Sequence, residues 1–131
     1  QIWVISRDKN SGETVKELEV NAGFIFHHGN AFEVKDHQIC VDSICYADSP
    51  EVDSDSDFRD VDFEALSLGQ LWRFTLDLDT ATVEKKLIEP RCCEFPFVHP
   101  QKVGQSYRYL FIGTDHQSRG NAPLQAILRY D

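Results

Sequence analysis

"QLWRFTLDLDTATVEKKLIE", residues 70–89, decides the fold class. Trp72, Phe74, Leu76 and Leu78 alternate with Leu71, Arg73, Thr75 and Asp77, a period of two that suits a half-buried strand. Asp79-Thr80 supplies a turn, and 81–89 returns as the hairpin partner. The same period recurs in both directions along the chain. "HQICVDSICYA" (37–47), "SYRYLFIGT" (106–114) and "PLQAILRYD" (123–131) read as strands. "IWVIS" (2–6) and "ETVKELEV" (13–20) make an opening hairpin around Asn10-Ser11-Gly12. The single helical candidate is a short turn near Asp62 to Leu66. The chain reads as all-β.

Hairpin after hairpin of this length suits a sandwich, a barrel or propeller blades. A blade takes about 40 to 45 residues, so 131 residues supply roughly three, too few to close a ring. The chain contains no methionine, and both Gln1–Ile5 and Leu124–Tyr130 read as strands in progress. The expectation is that residues 1–131 are an internal fragment of a single β-propeller domain.

A net charge of -9 argues against a nucleic-acid partner and against electrostatic docking on an anionic membrane. Cys40, Cys45, Cys92 and Cys93 match no zinc spacing and are too few for a disulfide scaffold. They are expected to be reduced, buried thiols of a cytoplasmic protein. In "DSPEVDSDSDFRDVDFEALSLG" (48–69), Asp53, Asp55, Asp57 and Glu64 mimic a calcium loop. Phe58 stands where that loop's sharp turn needs glycine, so a solvated acidic excursion is expected.

Five histidines remain. His37 and His116 lie in polar turns and read as surface residues, and His99, at a strand end before Pro100, reads as structural. His27 and His28, in "FIFHHGNAFE" (24–33), are neighbours in an apolar strand. Neighbours in a regular strand face opposite ways, so at most one is a working ligand. Gly29 and Ala31 leave room on the His27 side, whereas His28 shares its face with Phe24, Phe26, Asn30 and Phe32.

"FHHGNAFE" (26–33) resembles the signature of the carotenoid cleavage oxygenases. "CCEFPFVHPQKVGQSYRYLF" (92–111) resembles a downstream motif of that family. "DFEALSLGQLWRFTLD" and "GNAPLQAILRYD" are most similar to its cyanobacterial apocarotenoid oxygenases. The resemblance implies part of a seven-bladed β-propeller with ferrous iron (Fe2+) on its axis, held by four histidines, three of them oriented by glutamates. His27 maps onto a ligand and Glu94 onto an orienting glutamate, while His28 is not carried over. The implied reaction splits a carotenoid or apocarotenoid double bond with dioxygen to give aldehydes such as retinal, with peripheral membrane contact of the full-length protein. The other ligands would lie outside this chain, which by itself should be inactive. A hydrogen bond between His27 and Glu94 is expected. The alternative is a β-propeller interaction module without catalysis.

Overall fold

The computed structural model describes residues 1–8, 10, 12, 15–21, 23–35, 37–49, 57–116 and 124–131. Its strands are β1 (Ile2–Val4), β2 (Lys16–Leu18), β3 (Phe24–Lys35), β4 (Gln38–Tyr46), β5 (Gln70–Asp77), β6 (Thr82–Glu89), β7 (Cys93–Val98), β8 (Leu110–Thr114) and β9 (Ala126–Tyr130). They form three antiparallel sheets in sequence order: β1-β2, β3-β4-β5-β6 and β7-β8-β9. Only the middle sheet has four strands among the described residues.

The opening hairpin pairs Ile2 with Leu18 and Val4 with Lys16. The hairpin of residues 70–89 pairs Asp77 with Thr82 across a turn, and Ala81 there adopts φ 53°. Asp77 Oδ1 accepts the N–H groups of Asp79 and Thr80, which closes this turn. That carboxyl is held down to about 2, first by the Thr80 N–H and then by the Gln38 side chain. The helical expectation falls one turn away: Phe58–Asp60 forms a 3-10 helix, and Asp62 to Ala65 is only a hydrogen-bonded turn. A second 3-10 helix, Pro100–Lys102, begins where His99 accepts the Gln101 N–H, the structural role expected of that histidine.

Two cores flank the middle sheet. Leu18, Cys45, Phe74 and Leu76 fill the space toward β1-β2. Ile44, Tyr46, Leu71, Cys93, Val98, Leu110 and Ile112 fill the space toward the third sheet. Each fully buried leucine or isoleucine contributes on the order of 1.5–3 kcal/mol. Strand β4 has both faces covered, Ile44 turned to one core and Cys45 to the other. All four cysteines are buried and none is in a disulfide, and burial pushes the Cys45 and Cys93 thiols up to about 11 and about 12.

Polar struts tie the sheets. Asp42, 1% exposed, is held by both Arg73 Nε (2.8 Å) and Nη2 (2.9 Å) and by the Tyr107 hydroxyl. Asn30 donates to the carbonyls of Lys102 and Gln105 and accepts the Gly104 N–H, clamping the β7–β8 connection onto β3. Both satisfy buried groups that would otherwise cost stability. Asp53 and Asp55 lie outside the described residues. Asp57 is paired with Arg59, and no three His, Cys, Asp or Glu side chains among the described residues are grouped for a metal ion.

Candidate metal-ligand site

His27 and Glu94 are 67 residues apart in sequence, and the packing of β3 against β7 brings them together. His27 Nδ1 lies 2.7 Å from Glu94 Oε2. The same oxygen accepts the Phe95 N–H at 2.8 Å, and Oε1 accepts the Tyr46 hydroxyl at 2.7 Å. Carboxylate oxygens accept, so Nδ1–H is the donor here, and in the neutral imidazole the lone pair then lies on Nε2. Exposure separates the two roles: the His27 side chain is 47% exposed, the Glu94 side chain 12%. The imidazole is the exposed member of the pair and the carboxylate the braced one.

Both strands are irregular at this point. Ile25 pairs with Cys45 and His28 with Ser43, so Phe26 and His27 together oppose one residue of β4. In β7, Glu94 pairs with Gly113 and Phe97 with Phe111, so Phe95 and Pro96 oppose one residue of β8, and Phe95 adopts φ 55°. Bulges of this kind re-aim side chains. They also correct the expected faces of β3. Phe24, Phe26 and His27 stand together around Tyr46 and Glu94. His28 stays with Ile25 on the other side, its Nδ1 2.7 Å from Ser43 Oγ.

The expected room at Gly29 is also corrected. A Cβ there would come within 2.7 Å of Leu110 Cδ1 and 3.2 Å of Pro96 Cβ, so the glycine admits close packing of the third sheet. Around His27 the surface is aromatic: the Phe95 ring lies 5.3 Å away and the Phe26 ring 6.4 Å. Both phenylalanines are more than half exposed, at 63% and 55%. His37 and His116 are exposed, and His37 pairs with Asp79 at 2.7 Å.

Tyr46 was not singled out from sequence. Burial, then its bond to Glu94, pushes its hydroxyl far above the ordinary tyrosine range, so it remains a donor. The available signal was a tyrosine ending the apolar run "VDSICY", since a buried hydroxyl needs a partner.

Similarity to known proteins runs along the whole chain. The retinal pigment epithelial membrane protein family matches residues 1–131. The chain is 56% identical over 131 residues to an apocarotenoid-15,15'-oxygenase of Synechocystis, covering 100% of this chain and 26% of that protein. It is 24% identical over 128 residues to a carotenoid 9,10(9',10')-cleavage dioxygenase 1 of Phaseolus vulgaris, covering 98% of this chain and 22% of that one. It thus spans about a quarter of the length of the curated relatives it matches. A cobalt-substituted Synechocystis apocarotenoid oxygenase superposes with a TM-score of 0.88 at 56% identity, over 98% of this chain and 26% of that one. A chimera of that oxygenase superposes with the same TM-score, identity and coverage. The fold of these neighbours is a seven-bladed β-propeller, and the three antiparallel sheets described above are part of one. The chain belongs to the retinal pigment epithelial membrane protein family, the carotenoid oxygenases.

Proposed function

We propose that residues 1–131 are an internal segment of one β-propeller domain, and that the complete protein is an iron(II) dioxygenase cleaving a double bond of carotenoids or apocarotenoids to aldehydes such as retinal. His27 is its contribution to the metal, and Glu94 holds that ring. The observation that carries this reading is a half-exposed imidazole whose Nδ1 is fixed by a largely buried carboxylate, which makes Nε2 the nitrogen that could meet a metal. A neutral, oriented imidazole is the donor that ferrous iron accepts, so these residues fit the ion.

When bound, ferrous iron supplies the activation of dioxygen. The chain's own residues do the rest of what is proposed here. Glu94 keeps His27 in the tautomer with Nε2 unprotonated, and its three donors keep the carboxylate from turning. Phe26 and Phe95 flank the imidazole with apolar surface that suits a polyene. That a Synechocystis relative takes cobalt by substitution supports the reading. We place the protein in the cytoplasm, where its buried thiols stay reduced, with peripheral membrane contact as the source of an apolar substrate.

In the full-length protein, His27→Ala should lose metal and apocarotenoid cleavage outright. Glu94→Gln should keep the geometry and weaken metal retention about 10- to 100-fold. Metal content unchanged in His27→Ala would overturn the reading.

A further inference from the structure

Tyr46 ends β4, and its hydroxyl crosses to the neighbouring sheet to meet Glu94 Oε1 at 2.7 Å. The chain is cleared for this reach. A Cβ at Gly69 would stand 2.6 Å from Tyr46 Cζ and 2.7 Å from its hydroxyl oxygen. The backbone there cannot recede freely, because Gly69 O accepts the Cys93 N–H at 2.8 Å, one residue before Glu94. Phe26 meets the Tyr46 ring edge-on at 5.6 Å and 90°, and Phe24 at 6.5 Å and 64°. The ring therefore has one place to go.

Glu94 Oε2 is shared by the Phe95 N–H and the imidazole. Without a donor on Oε1 the carboxylate could pivot about that shared oxygen, and the imidazole plane would follow it. We propose that Tyr46 is a positioning residue for the metal site: its hydroxyl fixes the rotation of the Glu94 carboxylate and, through it, the direction in which His27 Nε2 is presented. The proposal rests on the metal reading of His27. It adds a third residue to the pair, from a third strand, and gives Gly69 its reason to be glycine.

The test uses the metal-loaded full-length protein. Tyr46→Phe keeps the ring and removes the hydroxyl. Metal should then be stripped by a competing chelator about three- to tenfold more readily. The visible absorption of the cobalt-substituted protein should shift, and kcat should fall with KM little changed. Gly69→Ala, whose Cβ would collide with the Tyr46 ring and also with the Cys93 carbonyl oxygen at 2.9 Å, should shift the same spectrum at least as far. In a Glu94→Gln background, Tyr46→Phe should add less than about a twofold effect, because it acts through that carboxylate. A merely structural tyrosine would give no cobalt shift, or would add its full effect on top of Glu94→Gln, and either result overturns the proposal. If His27→Ala keeps its metal, the metal reading fails first and takes this proposal with it. Metal loss in His27→Ala beside unchanged Tyr46→Phe sinks the positioning role alone.

Discussion

The β5–β6 hairpin and the β3–β7 contact follow the same backbone rules and put them to different uses. From Trp72↔Leu87 to Asp77↔Thr82 the hairpin ladder runs without a break, and Phe74 and Leu76 pack into one core. Strand β3 shifts register twice between Ile25 and Asn30, and β7 shifts once between Glu94 and Phe97. Those breaks lie where His27 and Glu94 meet. A regular ladder gives each residue a face by parity alone, which builds a core but cannot turn Phe26 and His27 to the same neighbourhood. The lesson is that the site lies where the strands carry extra residues, two on β3 and one on β7.

The contrast can be broken most severely from beneath. Leu110 is fully buried, and it packs against Gly29 just past the first bulge. Leu110→Ala in the full-length protein should cost about 2–5 kcal/mol by denaturant unfolding. In the regular hairpin, Leu87→Ala, at a side chain 38% exposed, should cost well under that. Equal losses would mean the bulged region is not the tighter of the two. Next in size is Gly29→Ala, whose new methyl would collide with Leu110 and Pro96. Overpacking of this kind should cost about 1–3 kcal/mol, and the same denaturation measurement reads it. A neutral result would show that β3 and the third sheet can separate at no cost.

How much of this was legible follows from the same contrast. Period-two alternation gave the all-β class and the hairpin at 70–89, because burial of one face is written into every second residue. The family motifs pointed to His27 and Glu94, and chemistry demanded a partner for each. Parity misled where the ladder breaks. It assigned Gly29 to an open space that Leu110 occupies, and grouped His28 with Phe24 and Phe26 when the bulge had moved it to Ile25 and Ser43. A bulge is set by the partner strand, which one strand's sequence does not describe. Tyr46, Asp42 and Arg73 stayed hidden for a related reason. Their meaning lies in contacts across 31 to 48 residues of chain, such as Arg73 on Asp42 and Tyr46 on Glu94.

A smaller effect sharpens the comparison at the second bulge. Phe95 sits at φ 55°, a left-handed conformation that side chains with a Cβ adopt at a cost, and its ring is 63% exposed. With little burial at stake, the backbone decides. Phe95→Gly should therefore be more stable than Phe95→Ala by about 1 kcal/mol. Both should keep the N–H donated to Glu94 Oε2, and both should lose the aromatic wall beside His27. Thermal unfolding of the two variants side by side gives the difference. Alanine equal to glycine would mean that the bulge relaxes to an ordinary conformation once the ring is gone.

The smallest effect belongs to the regular hairpin, at its turn. The Asp77 carboxylate is held down to about 2 from an ordinary value of 3.8 by the Thr80 N–H and then by Gln38. A folded-state value below the unfolded one means that the ionised group stabilises the fold. That stabilisation is complete above about pH 4 and disappears as the pH falls through about 2. Asp77→Asn keeps an oxygen for the turn but removes the charge and sets an amide against the Gln38 donor. The variant should unfold slightly more easily than the parent at pH 7, and the gap should close between about pH 4 and pH 2. The carboxylate is partly exposed, so salt should narrow the gap at neutral pH as well. Denaturant midpoints measured across that range decide it. A gap that persists unchanged at pH 2 would assign the turn's stability to oxygen geometry alone, and the charge on Asp77 would then contribute nothing to the hairpin.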